Sequence, residues 1–121
     1  MRVLIADDAP VARAMLARLV AAAGHEVVAE AEDEPSAFER FEATHPDVVL
    51  IDGRLPPGGA LAVVDGLRAR DARVWIVVTA APDELELLRS ALAAGASAGL
   101  ERPFLPSRVE AALAEAAART A

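Results

Sequence analysis

Apolar runs of four to six residues alternate with longer helix-periodic segments five times along the chain, and few folds accommodate that order. The strand-like runs are Val3–Ala6, Val27–Ala31, Val48–Ile51, Val74–Val78 and a weaker one at Ala98–Glu101. Three of them are nearly all Val, Leu and Ile rather than alternating, as expected of strands covered on both faces. Strict βα alternation predicts a parallel sheet with helices on both sides and right-handed crossovers. In such sheets function gathers beyond the carboxyl ends of the strands.

The intervening segments carry helix signals. Val11, Met15 and Leu19 recur every four residues and join Leu16 and Val20 in one broad apolar face, with Gly24 as the stop. A second helix is predicted from about Asp33 and Pro35, carrying Phe38 and Phe41 inward. A third is predicted from Gly59 to Arg70, with Leu61, Val64 and Leu67 as its apolar positions. A fourth opens at Pro82-Asp83-Glu84, carries Leu85, Leu88 and Leu92, and closes at Gly95. The fifth follows Pro106-Ser107 and buries Val109 and Leu113, with Ser107 and Glu110 at capping-box spacing.

Composition excludes several classes of function. With 121 residues the chain is predicted to form one domain, 1–121, long enough to bury a core without staples. Cysteine is absent, which excludes disulfides, thiolate metal sites and thiol catalysis. The 55% hydrophobic fraction overstates the core, because thirty of those residues are alanine. All twelve basic residues are arginine, and the formal net charge of −7 argues against direct nucleic-acid binding. No run approaches 18 apolar residues, so no membrane insertion is expected. The start, Met1 to Ile5, leads straight into a strand-like run with no room for a signal peptide, so a cytoplasmic location is expected.

The strand ends hold the chemistry. The first run is followed by Asp7-Asp8, the third by Asp52 and the fourth by Thr79, with Arg102-Pro103 just after the fifth. If the central strands are neighbours, three carboxylates share one crevice. Two carboxylates about 4 Å apart repel by roughly 4 kcal/mol at an effective dielectric near 20. Such a cluster needs a protonated member or a resident cation. An all-oxygen set with open positions suits Mg2+, which keeps several waters and takes one or two protein carboxylates.

In this order and spacing the segments resemble the receiver domain of bacterial two-component response regulators, over essentially the full chain. The matching pieces are Val3-Leu4-Ile5-Ala6-Asp7-Asp8 with Arg13, then Pro46-Asp47-Val48-Val49-Leu50-Ile51-Asp52 with Leu55-Pro56. Val77-Val78-Thr79-Ala80, Ala94-Gly95-Ala96-Ser97 and Pro103-Phe104 complete the set. The resemblance implies a doubly wound (βα)5 flavodoxin-like fold of three layers, its five-stranded parallel sheet in the order 2-1-3-4-5. It also implies that Asp52 accepts a phosphoryl group from the phosphohistidine of a histidine kinase or phosphotransfer protein. Asp7, Asp8, Asp52 and the backbone carbonyl of Arg54 match the Mg2+ ligands, and Thr79 and Arg102 match the hydroxyl and the cation that meet the phosphoryl group. A downstream protein target would read the fourth helix, fifth strand and fifth helix. Such a domain is expected to be a signalling phosphoacceptor, not an enzyme, although it takes part in its own phosphoryl transfer and hydrolysis.

Three positions depart from the family pattern. Arg102 stands where lysine is usual, and a planar forked guanidinium is not equivalent to an ammonium in a tight phosphate site. Either the lysine-free composition or altered phosphorylation explains it. Gly99 stands where a switch aromatic is usual, leaving no side chain to swing. The loop after Asp52 reads Leu55-Pro56-Pro57-Gly58-Gly59-Ala60, with Ala60 in place of a glycine. These departures motivate a rival reading, a receiver-like interaction adaptor that works without phosphorylation. A third, an aspartate-nucleophile phosphatase, is weak because such enzymes place a second acid where Arg54 stands.

Other polar residues have plainer readings. His25 and His45 read as surface turns, and Arg68, Arg70 and Arg73 read as a solvated edge. Trp75 reads as core on the face of Thr79, more than about 10 Å down the strand. Arg54 is expected near the site mouth, either assisting phosphate approach or solvated.

Overall fold

The computed structural model describes residues 1–120. Its elements are β1 (Arg2–Ala6), α1 (Pro10–Ala22), β2 (Glu26–Ala31), α2 (Glu34–Thr44), β3 (Val48–Asp52), α3 (Ala60–Arg70), β4 (Trp75–Ala80), α4 (Leu85–Ala93), β5 (Ala98–Glu101) and α5 (Pro106–Thr120). The strands lie in the order β2-β1-β3-β4-β5 and every pair is parallel. This is the doubly wound flavodoxin-like arrangement that the alternation and the resemblance predict.

The all-apolar strands divide their residues by parity. Leu4 and Ala6, Val49 and Ile51, and Ile76 and Val78 join Phe41, Val63, Val64, Leu67 and Ala91 in a core under α2, α3 and α4. Val3 and Ile5, Val48 and Leu50, and Val77 and Leu100 join Leu16, Val20, Val109 and Leu113 in a second core under α1 and α5. Each fully buried Val, Leu or Ile contributes about 1.5–3 kcal/mol, so both layers are held mainly by apolar burial.

Helix ends follow the sequence signals except at α4, which begins at Leu85, so Pro82-Asp83-Glu84 forms the turn before it and not its first turn. Gly24 and Gly95 both adopt positive φ, at 90° and 119°. Each is followed by an amide that reaches back to the helix, His25 to the Val20 carbonyl and Ala96 to the Ala91 carbonyl. Asp33 caps α2 by accepting from the Ser36 amide, and Ser36 answers the Asp33 amide. In α5, by contrast, the amides of Arg108 and Val109 bond the Leu105 carbonyl, and no hydrogen bond joins Ser107 to Glu110 among the described residues.

The helix faces differ from the expectation in three places. Val11 and Met15 of α1 are exposed, and Leu16 and Val20 carry the packing. In α3, Leu61 is exposed while Ala60 and Val63 are buried. In α4, Leu85 and Leu92 are exposed, and Leu87, Leu88 and Ala91 face the sheet. The cause is alanine. Ala60, Ala91 and Ala116 are almost fully buried where helix and sheet backbones approach, and in a chain with thirty alanines the apolar pattern does not single them out. Strand limits shift by one or two residues: β1 and β2 begin at Arg2 and Glu26, β3 extends to Asp52, and β4 runs from Trp75 to Ala80 and so takes in Thr79.

Candidate functional site

Parity also builds the site. Asp7, Asp52, Thr79 and Arg102 continue the odd or even series of Ile5, Leu50, Val77 and Leu100, the residues of the α1/α5 face. Register sets their height. Asp52 pairs with Thr79, and Ala6 pairs with Ile51, which brings Asp7 level with Asp52. Four chain segments thus deliver one polar row to the carboxyl edge of the sheet.

The row is tightly held. Asp7 and Thr79 are 1% and 0% exposed, and Asp52 is 5% exposed. One oxygen from each of Asp7, Asp8 and Asp52 falls within 4.8 Å of the others. Asp7 Oδ1 accepts from the Ala9 amide at 2.9 Å, a turn that leads the chain into α1. Asp52 Oδ1 accepts from the Arg54 amide at 3.1 Å, which wraps the β3–α3 loop around the carboxylate. Asp8 is exposed at the mouth.

Arg102 answers these acids. Its Nη2 lies 2.9 Å from Asp52 Oδ1, 3.1 Å from Asp7 Oδ2 and 3.2 Å from Thr79 Oγ1. One nitrogen thus donates to Asp7 and Thr79 and stands in ion-pair contact with Asp52. Its Nε is buried without a partner, and the guanidinium carbon lies 5.6 Å from the centre of the Phe104 ring. Burial pushes the Asp7 carboxyl up, and the neighbouring Asp52 and Asp8 push the same way. The Ala9 amide and Arg102 oppose that rise.

The donor chemistry fits a divalent cation such as Mg2+. The cluster is all oxygen, it is small, and Asp8 leaves it open to water. Asp7, Asp8 and Asp52 would hold the ion, with the Arg54 backbone beside Asp52.

Residues 3–114 match the response regulator receiver domain family. The chain belongs to that family. It is 35% identical over 112 residues to the chemotaxis protein CheY of Thermotoga maritima, a match covering 93% of each chain. To CheY of Bacillus subtilis it is 32% identical over 108 residues, covering 89% of this chain and 90% of the relative. Among solved structures it resembles the signal receiver domain of NarL from Mycobacterium tuberculosis, with a TM-score of 0.89 and 30% identity. That likeness covers 97% of this chain and 95% of the other. The protein is thus a response regulator receiver domain of two-component signalling.

Within this receiver, the site residues named from sequence meet at one place. The Arg54 side chain does not: it leaves the pocket and pairs with Glu84, in the β4–α4 loop. Glu84 also accepts from the Ala81 amide at 2.8 Å, so one carboxylate ties the loop after Asp52 to the loop after Thr79. The Ala81 amide and then Arg54 hold Glu84 below the ordinary glutamate value. Sequence reasoning missed this role, treating Glu84 only as an acid at a helix start. Opposite charges on two neighbouring strand-end loops were the available signal.

Gly99 is accommodated rather than left vacant. The Leu88 side chain of α4 fills the space beside it, and Leu87 fills the space beside Gly53, the residue after Asp52. Two leucines of one helix thus sit against two glycines, one next to the site and one on β5.

The remaining polar residues divide. Arg68 is not a solvated edge: it donates to the carbonyls of Gly95 at 2.9 Å and Val74 at 2.6 Å and to Ser97 Oγ at 3.1 Å. Arg70 pairs with Glu42 and stacks on Phe38, while Arg73 is exposed. His25 sits 2.9 Å from the N-terminal amine, and His45 is an exposed left-handed helix cap. Trp75 is half-buried in the α1/α5 core. No described helix is long and apolar enough to cross a membrane.

Proposed function

We propose that Asp52 accepts a phosphoryl group from the phosphohistidine of a histidine kinase or phosphotransfer protein. The reading rests on one observation: Arg102 pairs with the buried strand-end carboxylate of Asp52 and hydrogen-bonds Thr79, its neighbour on β4. An Asp52 oxygen attacks phosphorus in line, a P–O bond forms, and the P–N bond breaks with its electron pair returning to the imidazole. Thr79 Oγ1 donates to one oxygen of the new acyl phosphate, and Arg102 neutralises another. Mg2+ bound by Asp7, Asp8 and Asp52 supplies charge neutralisation on the moving group.

The domain works as a signalling phosphoacceptor rather than a turnover enzyme. A groove of about 780 Å³ lined by Val11, Met15, Leu19, Phe104 and Pro106, with the Phe104 ring lying near Arg102, suits an apolar helical face of the phosphodonor. Downstream, α4, β5 and α5 form the output surface, where Leu85 and Leu92 stand exposed.

Acetyl phosphate with Mg2+, followed by intact mass, tests this reading. One phosphoryl adduct is expected on the wild type and none on Asp52→Asn. An unlabelled wild type, under conditions that label ordinary receivers, would sink it. The Leu88 plug at Gly99 supports a second reading, an adaptor that binds its partner unphosphorylated. Partner binding unchanged in Asp52→Asn would favour that alternative.

A further inference from the structure

We propose that Arg102 is a built-in counter-ion that sets the affinity of this site for its divalent cation, holding it below what the three aspartates alone would give. The inference rests on the receiver reading of the site and goes beyond it by assigning a resident cation that competes with the metal.

The oxygens available to a metal can be followed one by one. Asp7 Oδ1 is taken by the Ala9 amide and Asp7 Oδ2 by Arg102. Asp52 Oδ1 accepts from the Arg54 amide and is ion-paired with Arg102. Among the described residues, only Asp52 Oδ2 and the oxygens of Asp8 carry no bond from the chain. A metal therefore meets a cluster already partly claimed. The guanidinium also lowers the formal charge of the three carboxylates by one unit at contact distance. Affinity of such sites follows ligand charge, and Arg102 repels a dication placed among the same oxygens.

Two features make this arginine a competitor and not a passive neighbour. Its positive charge stands at the same oxygens a dication would take, so the two repel. The bound pose is also incomplete, because Nε is buried without an acceptor. At the same time the side chain is 28% exposed, and the Phe104 ring lies close by. The guanidinium thus has a route outward that leaves the fold intact.

Mn2+ is the probe, titrated by electron paramagnetic resonance into wild type, Arg102→Gln, Arg102→Met and Asp8→Asn, with circular dichroism to verify folding. At least tenfold tighter Mn2+ binding is expected in Arg102→Gln and Arg102→Met, and weaker binding in Asp8→Asn. The direction is diagnostic, because damage to the site would weaken binding. Without metal, both Arg102 variants should be less stable than wild type, and added Mn2+ should stabilise them more. Equal or weaker affinity in the folded Arg102 variants, with Asp8→Asn still impaired, overturns this proposal and leaves the receiver reading standing. No Mn2+ binding in any variant overturns both this proposal and the metal-assisted phosphoacceptor function proposed for the site. The two variants differ in polarity, so a folding failure in one leaves the other to decide.

Discussion

Leu88 occupies the place of a side chain on β5: its Cδ1 and Cδ2 lie 2.6 and 2.7 Å from where a Cβ on Gly99 would stand. The bare glycine is therefore a socket for α4, and the helix is anchored on β5 by an apolar contact. Leu87 makes a matching contact at Gly53, directly after Asp52. A movement of the Asp52 loop thus has a packed path to β5 through a single helix.

Replacing Gly99 with tyrosine should evict Leu88 and cost about 1–3 kcal/mol, the usual range for overpacking. Adding Leu88→Ala to Gly99→Tyr should recover a large part of that loss. Urea denaturation of both single variants and the double variant gives the coupling. Strictly additive effects would show that the two residues do not share this space.

Glu84→Gln should loosen the β4–α4 loop, because it removes the charge joining the Ala81 amide to Arg54. Hydrogen exchange at the Ala81 amide should speed up while the amides of β4 stay protected. The folded Glu84 carboxyl is depressed, so its contribution is present above the unfolded glutamate value and lost as pH falls through the folded one. Wild type and Glu84→Gln should therefore converge in stability under acid conditions. Unchanged exchange at Ala81 would remove the tie.

Asp7 has the opposite sign. Its folded pKa is raised, so the folded protein binds its proton more tightly than the unfolded chain does. Stability of the metal-free protein should fall as pH rises from the ordinary aspartate value through the raised one, and the penalty persists at neutral pH. Asp7→Asn should flatten that part of the profile and raise the neutral-pH denaturation midpoint. A midpoint lower than wild type at neutral pH would mean that the Arg102 contact outweighs the burial of charge.

Arg68→Ala should destabilise by about 3 kcal/mol, well beyond an ordinary surface substitution, since it takes the side-chain donor from the carbonyls of Val74 and Gly95. Thermal or urea unfolding of the variant measures it. Arg73→Ala, at an exposed position of the same segment, should change stability by less than about 0.5 kcal/mol.

Much of this was legible without coordinates. The parallel sheet follows from runs such as Val48-Val49-Leu50-Ile51, apolar at successive positions because both faces are covered. Asp7, Asp8, Asp52, Thr79 and Arg102 could be placed at strand ends, because period-two strands carry such residues to one edge. Helix faces were less legible, since Ala91 at the sheet and Ala93 in solvent look alike in sequence.

The sequence by itself determined the order of elements, the polar row at the carboxyl edge and the family to which it belongs. Only the tertiary structure decided what each side chain touches: Arg102 among Asp7, Asp52 and Thr79, Arg54 on Glu84, Leu88 against Gly99, and Arg68 beneath β4 and β5. The reason is physical. Periodicity and stop signals act within a few residues of chain, whereas these contacts join residues up to 95 apart in sequence. Such contacts depend on which elements meet across the sheet and how closely the helices approach it, and a local pattern does not specify that.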